Sequence, residues 1–317
     1  MLTKLITVVV PVYNETKNII EFNNSLNLAL SKLNHGYEII YVDDGSTDDS
    51  AKKIADLCMS NIHLLCLSRN FGKEIALSAG IAKAKGDAII TIDADGQHPV
   101  DIIQQFVDKW ISGCLVVVGI RQDNLHRSYK KYTSKLFYKL FNLFSAVKLI
   151  PNSTDFRLID RQVANEFIKF SEPNRITRGL IDWLGFDRQF VYFKSNLRQG
   201  DSASYSFNKL IKLAFDSLVS MSPLPLYIFG VLGIFITPLS LIMGIFVIFE
   251  QLVLNDPLGL KFTGTAMLGV LIIFLVGLLL LSQGVIGIYL SHIQNQVVGR
   301  PLFVINYRKS VGFGYEK

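Results

Sequence analysis

A mostly parallel α/β domain followed by two membrane-crossing helices is the fold class this 317-residue sequence predicts, on three observations. Short, nearly continuous apolar runs alternate with segments of helical period through the N-terminal part. Polar and acidic clusters stand at the carboxyl ends of those runs. Two later stretches, Ser217 to Phe249 and Phe262 to Leu290, contain no Asp, Glu, Lys or Arg.

The apolar runs are Leu5–Val10, Glu38–Val42, Ile62–Leu67, Ala88–Ile92 and Leu115–Gly119, and the helical segments cover roughly 16–33, 47–58, 73–84 and 99–112. This βαβα alternation predicts a parallel sheet. Its strands are covered on both faces, so the runs are continuous rather than alternating. Ligands of such sheets bind beyond the carboxyl ends of the strands. There the sequence places Asn14-Glu15, Asp43-Asp44-Gly45-Ser46, Asp93-Ala94-Asp95 and Arg121. No GxGxxG or GxxxxGK[ST] is present, so phosphates must be held in another way.

Half of the residues are hydrophobic and 18% are charged, a balance that indicates a soluble part joined to a membrane part. The spans are predicted at about 224–249 and 264–290, each longer than the ~20 residues needed to cross the hydrocarbon core. Two amphipathic segments, Tyr129–Phe144 and Phe207–Leu218, carry lysines beside apolar stripes and read as interfacial helices. For the first, packing on the sheet is an equal reading. The formal charge of +6 suits nucleic acid or an anionic membrane, and the position of the basic residues beside these apolar faces favours the membrane. Positive-inside bias puts the N-terminal domain and the tail, with Arg300, Arg308 and Lys309, in the cytoplasm of an inner-membrane protein. The N-terminus lacks the apolar core and cleavage site of a signal peptide. Cys58, Cys66 and Cys114 have no zinc or CxxC spacing and read as buried thiols. The predicted organisation is a catalytic domain over 1–205, a juxtamembrane helix over 206–222, a two-helix membrane domain over 223–290, and a tail over 291–317 in which Pro301–Ile305 can add a strand.

The most informative chemistry is Asp93-Ala94-Asp95 at the end of a buried strand. Two carboxylates one residue apart can hold a hard cation, Mg²⁺ or Mn²⁺, that also binds a diphosphate. A lone DxD is more often a solvated turn. Here it accompanies Val10-Pro-Val-Tyr-Asn-Glu15 and Val42-Asp-Asp-Gly-Ser-Thr-Asp48 at the same sheet edge.

With those three motifs in that order, the chain resembles the family 2 glycosyltransferases of the GT-A fold over residues 5 to about 205. Asp155-Phe-Arg-Leu158, Arg198 and the C-terminal spans narrow the resemblance to the polyprenyl-phosphate glycosyltransferases, including the bactoprenol glucosyltransferase group and dolichol-phosphate mannose synthase. The QxxRW motif of processive synthases is missing. The resemblance implies that Pro11, Tyr13, Glu15, Asp44 and the backbone of Val42 line the base and ribose pocket. It assigns Asp93, Ala94, Asp95 and Gln97 to the diphosphate, with Asp93 and Asp95 as metal ligands. Arg121 is assigned to the donor; Lys130, Ser134 and Arg198 are assigned to the acceptor phosphate. Asp155 is the candidate for orienting or deprotonating the acceptor, and Asp95 the second catalytic carboxylate. From the residues alone, Asp43, Asp44 and Ser46 read as turn or N-cap residues, Asp155 as a partner of Arg157 or Arg161, and His98 as structural. One departure is Ser204, where relatives of this type carry Lys in an RxxGxSKY loop.

The expected activity is inverting, metal-dependent transfer of glucose from UDP-glucose to undecaprenyl phosphate at the cytoplasmic face, in a homo-oligomer for which relatives suggest a tetramer. Nucleic acid is not expected as a partner. Mannose from GDP-mannose or an aminoarabinose unit are the alternative sugars. A non-catalytic membrane scaffold is the alternative class, disfavoured by the joint presence of Asp93, Asp95, Arg121, Asp155 and Arg198.

Overall fold

β-Branched residues dominate the first strand, LITVVVPV, and set it at the middle of the sheet. In the computed structural model, β1 (Leu5–Val12) pairs in parallel with β2 (Gly36–Asp43) on one side and β4 (Ala88–Thr91) on the other. The structure describes residues 4–122, 150, 152–172, 175–195 and 264–314, with the helical positions Val231, Phe235, Pro238, Ile242, Ile245 and Phe249. Contacts divide the chain into one unit of residues 1–207 with 300–317 and a second of residues 208–299.

The first unit holds a seven-stranded sheet in the order β3-β2-β1-β4-β6-β5-β7, where β3 is Ile62–Cys66, β5 Val116–Arg121, β6 Ser153–Asp160 and β7 Arg188–Phe193. All pairings are parallel except those of β6, which runs antiparallel to both β4 and β5. The five expected strands are present with ends shifted by a few residues. β6 and β7 were not expected.

Helices cover both faces. On one, α1 (Ile19–Leu30) turns Ile19, Phe22, Leu26 and Leu30 inward, the spacing of a helical stripe. Beside it lie α2 (Ser50–Leu57) and α4 (Ile103–Ile111), the latter burying Ile103, Phe106, Val107 and Trp110. On the other face lie α3 (Lys73–Lys83), α5 (Arg161–Phe167) and α6 (Thr177–Trp183). α3 lies very close to the strands: a Cβ on Gly80 would come within 2.3 Å of Val9 and 2.9 Å of Val42. Only glycine permits that approach.

Helix starts differ from the periodic reading for a specific reason. α1 begins at Ile19 rather than near 16, because Glu15 N–H donates to Ser50 Oγ and the Thr16 hydroxyl to Asp48. α2 begins at Ser50, since Thr47 N–H is taken by Asn14 Oδ1. Side chains of the two loops thus bond the backbone and one another where a further helical turn would have stood. The 99–112 segment opens as a short 3₁₀ turn, Val100–Ile102, before α4.

Residues 300–314 return along β3, the sheet's edge. Leu64 and Val311 exchange backbone hydrogen bonds of 2.9 and 2.8 Å, and Asn306 N–H donates to Cys66 O at 2.8 Å. The pairing consists of isolated bridges at Leu64–Val311 and Leu67–Ile305 rather than a continuous ladder. Even so, it occupies an edge that would otherwise present unpaired amides.

The second unit contains α7 (Gly264–Val297), 34 residues long, whose Phe274–Ser291 window has a mean hydropathy of 2.0. It is the one helix among the described residues long and apolar enough to cross a membrane. The other expected span, about 224–249, is described only at isolated helical positions. The two amphipathic segments at 129–144 and 207–218 lie outside the described residues.

Candidate active site

The carboxyl edge of the sheet gathers the acidic motifs. β1 ends in Val12, followed by Tyr13 and Glu15; β2 ends in Asp43; β4 ends at Thr91, two residues before Asp93; β5 ends in Arg121. Asp155 joins them by the opposite route. It lies near the amino end of β6, and that strand is antiparallel, so Thr91 pairs with Arg157 and the register continued two residues further sets Asp93 opposite Asp155. A hydrogen bond from the Thr91 hydroxyl to Asp155 O fixes this crossing.

Between the two carboxylates sits Lys73, the first residue of α3. Its Nζ lies 2.7 Å from Asp93 Oδ1, 2.8 Å from Asp93 Oδ2 and 2.9 Å from Asp155 Oδ2. Burial works against the charge on Lys73, but Asp93 and Asp155 outweigh it and hold the amine above its ordinary range. Burial likewise opposes the charge on Asp155, and here the Lys73 ammonium wins, keeping that carboxyl below its ordinary value. Asp155 Oδ1 is buried and has no hydrogen-bond partner among the described residues. The neighbouring Glu74 is pushed up by burial and by Asp155, while its carboxylate accepts from Thr177 N–H at 2.7 Å.

The expected partners of Asp155 are engaged elsewhere, which corrects that reading. Arg157, 1% exposed, donates to Asp182 at 3.0 Å, and Arg188 approaches the same buried carboxylate at 3.0 Å. This pairing ties β6 to α6. Arg161 donates to Gly86 O and Ala84 O.

Asp95 is partly buried, and its Oδ1 accepts from Gln97 N–H at 3.1 Å, which pins the DxD turn. Ala94 is buried, so the residue between the carboxylates anchors the loop while Asp93 and Asp95 remain accessible. His98 packs on Phe156 and Phe193 at ring separations of 5.2 and 5.6 Å, and burial lowers its pKa. Its Nδ1 lies 4.0 Å from Asp93 Oδ2.

The β2 edge behaves differently. Asp43 accepts from Ser46 N–H, a side-chain turn of the expected kind. Asp44 caps no helix: its two oxygens accept from Phe71 N–H at 2.7 Å and Gly72 N–H at 2.8 Å. Burial raises the pKa of both Asp43 and Asp44 despite these bonds. Gly45 has φ +70°, and a Cβ there would meet the Arg69–Asn70 backbone at 2.6–2.7 Å, so the loop accepts only glycine. Tyr13 is exposed, and Pro11, beside Val42 in the register, is partly exposed. Pro11, Tyr13, Glu15, Val42, Asp44, Asp93, Ala94, Asp95, Gln97, Arg121 and Asp155 therefore all lie along one edge. Lys130, Ser134, Arg198 and Ser204 fall outside the described residues.

A divalent cation fits this edge by donor chemistry. Asp93 and Asp95 offer hard oxygens on one turn, and the unpartnered Asp155 oxygen adds negative charge close by. Among the described residues no group of three or more His, Cys, Asp or Glu is arranged as a metal cage. Two carboxylates leave positions for diphosphate oxygens and water, the mode Mg²⁺ favours.

A model of glycosyl transferase family 2 matches residues 7–168, which contain the strands β1 to β6 and every acidic motif above. The chain belongs to this family. This family 2 glycosyltransferase has the GT-A-like architecture, with a mostly parallel sheet. It is 40% identical over 304 residues to an uncharacterised glycosyltransferase of Synechocystis, covering 95% of this chain and 94% of that one. It is 34% identical to the SfII prophage-derived bactoprenol glucosyl transferase of Shigella flexneri, covering 95% and 97%. A prophage bactoprenol glucosyl transferase homologue of Escherichia coli is 32% identical, covering 95% and 98%. Among solved structures, glucosyl-3-phosphoglycerate synthase of Mycobacterium tuberculosis with Mn²⁺ and UDP-glucose aligns over 68% of this chain and 77% of that one at 16% identity and a TM-score of 0.46, a distant likeness only.

Lys73 and Glu74 are the site residues that sequence reasoning missed. A signal was available: Lys73 opens the helix after β3, at the same edge as Asp93, and a cation beside a DxD is a natural neighbour.

Proposed function

We propose that this glycosyltransferase moves glucose from UDP-glucose to the phosphate of a polyprenyl lipid such as undecaprenyl phosphate, with inversion at the anomeric carbon, on the cytoplasmic face of the membrane. One observation carries the reading: the 34% identity to a bactoprenol glucosyl transferase spans 95% of this chain, the acidic edge and the long apolar α7 included.

The acceptor is a phosphate monoester, with a second pKa of about 6, so its oxygen is largely ionised near neutral pH. Proton abstraction is therefore a minor requirement. A phosphate oxygen attacks the anomeric carbon, the bond from that carbon to the donor's β-phosphate oxygen breaks, and the electron pair leaves with UDP. Asp155 orients the acceptor, and the Asp44-braced loop, Tyr13 and Glu15 hold the nucleoside end. The family resemblance assigns Lys130, Ser134 and Arg198 to the acceptor phosphate and Arg121 to the donor, side chains able to bind phosphate oxygens. Mg²⁺ or Mn²⁺ on Asp93 and Asp95 would neutralise charge on the departing diphosphate. α7, with a second span before it, anchors the enzyme beside its lipid substrate.

The test is nucleotide release by the purified full-length protein in lipid, with a panel of UDP- and GDP-sugars and with or without polyprenyl phosphate. UDP release from UDP-glucose only when the lipid phosphate is present, abolished by EDTA and restored by Mg²⁺ or Mn²⁺, is expected. Release from GDP-mannose instead would reassign the sugar. Release independent of the lipid would remove the acceptor assignment.

A further inference from the structure

We propose that Lys73 is a positioning residue of the transfer site: its ammonium bridges Asp93 and Asp155 before the donor arrives, then yields Asp93 to the entering cation while keeping Asp155 oriented. This rests on the reading of Asp93 and Asp95 as cation ligands.

The geometry carries it. An ammonium has three donors. Those of Lys73 face both oxygens of Asp93, at 2.7 and 2.8 Å, and one oxygen of Asp155, at 2.9 Å. Both Asp93 oxygens are directed at an internal cation, so a divalent ion that takes Asp93 must displace it. Lys73 can move: its side chain is 42% exposed and rides on a flexible four-carbon stem. Its base is fixed, because the two preceding amides, Phe71 and Gly72, are both held by buried Asp44. A rigid base and a mobile tip let one residue hold two strands' carboxylates and release one of them.

Asp155 explains why the bridge is more than a surface ion pair. Only Oδ2 of Asp155 meets Lys73, and Oδ1 is buried without a partner among the described residues. With Lys73 retained on Oδ2, the carboxylate has a defined rotation. The donor loop, through Asp44, the Phe71–Gly72 amides and Lys73, is thereby linked to the residue that meets the acceptor.

The experiment compares full-length wild type, Lys73→Met, Lys73→Gln and Lys73→Arg. Mn²⁺ binding is measured by electron paramagnetic resonance without donor, and steady-state transfer with UDP-glucose and polyprenyl phosphate. Removing the competing ammonium should tighten Mn²⁺ binding by roughly tenfold in Lys73→Met and Lys73→Gln. In the same variants kcat should fall by about 100-fold, with the KM for UDP-glucose changed less than about threefold. Lys73→Arg should restore both readouts in part. Opposite signs on metal affinity and turnover are not produced by a merely structural lysine, and Lys73→Gln supplies the answer if Lys73→Met does not fold. Unchanged or weaker Mn²⁺ binding in a folded neutral variant overturns the proposal, as does unchanged kcat. Wild type that binds no Mn²⁺, even with UDP present, overturns the cation reading of Asp93 and Asp95 and this inference with it. Intact wild-type binding that is lost in Asp95→Asn leaves that reading standing whatever Lys73 does.

Discussion

Two acidic pairs stand at the carboxyl ends of β2 and β4, the strands that flank β1 in one sheet, yet Asp43-Asp44 and Asp93-Ala94-Asp95 spend their charge differently. After β2 the carboxylates turn inward: Asp43 binds its own loop at Ser46, and Asp44 holds the Phe71 and Gly72 amides. Both are nearly buried, at 4% and 3% exposure. After β4 only the intervening Ala94 is buried, at 3%, while Asp93 meets the Lys73 ammonium and Asp95 binds a single amide. The extra residue between the aspartates makes the difference. Asp44 directly follows its strand and meets the Phe71 and Gly72 amides, whereas in the DxD turn Ala94 takes the buried place and leaves an accessible aspartate on either side of it. The first pair builds the loop, and the second is left to bind.

The largest effect should therefore come from the second pair, and on turnover rather than stability. Asp95→Asn removes one anionic ligand but retains an oxygen for Gln97 N–H. Transfer should fall by about 100-fold or more, with the melting temperature within a few degrees of wild type. Near-normal turnover at saturating UDP-glucose and metal would erase the distinction between the pairs.

Asp44→Ala should do the reverse. Two half-buried amides lose their acceptor, so stability should drop by about 1–3 kcal/mol, with Lys73 and the donor loop loosened together. Urea unfolding of the isolated variant measures this. A loss below ~0.5 kcal/mol would mean that water replaces the carboxylate and that Asp44 belongs to the binding class after all.

How far this contrast is legible in the sequence depends on the strand concerned. β1 to β5 are readable because parallel strands covered on both faces give unbroken runs such as TVVV and EIIYV. β6, STDFRLID, hides its character behind buried Arg157 and exposes Asp155 by running antiparallel, a topology that no local pattern encodes. The DxD pair and its edge follow from strand ends alone. Asp44's amide partners, 27 and 28 residues away, and Lys73's carboxylates, 20 and 82 away, are tertiary contacts that periodicity cannot reach.

A smaller, pH-dependent difference marks Asp43. Burial raises its carboxyl above the ordinary value of 3.8. As pH rises, the unfolded chain ionises first, so the folded state is increasingly disfavoured up to the raised value and the penalty is constant beyond it. Asp43→Asn stays neutral and escapes that penalty. Its melting temperature relative to wild type should therefore rise between about pH 3.5 and 7. A difference that falls over this range would mean that Ser46 and the nearby Lys309 stabilise the carboxylate by more than burial costs.

The smallest effect should be at Ser46, in the same loop as Asp43 and Asp44 but half-buried rather than buried. Ser46 Oγ accepts from Asn14 N–H at 3.1 Å in an exposed position, where water can take its place. Ser46→Ala leaves the backbone bond from Ser46 N–H to Asp43 intact, and two other links between the loops remain: Thr47 N–H to Asn14 Oδ1 at 2.9 Å and Glu15 N–H to Ser50 Oγ at 2.9 Å. Asn14 is already in the left-handed region, with φ 57°, and it is Thr47 rather than Ser46 that its side chain engages. The substitution should cost about 0.5–1 kcal/mol, one net hydrogen bond, and shift the KM for UDP-glucose by less than about threefold. Differential scanning calorimetry beside donor titration separates the two quantities. A loss above ~2 kcal/mol would place Ser46 with Asp44 as a brace, because the Ser46 hydroxyl also bonds the buried Asp43 carboxylate, which its removal would then strand. A tenfold rise in KM without a stability loss would instead move it to the binding edge with Asp93 and Asp95, since only contact with the donor could then carry the effect.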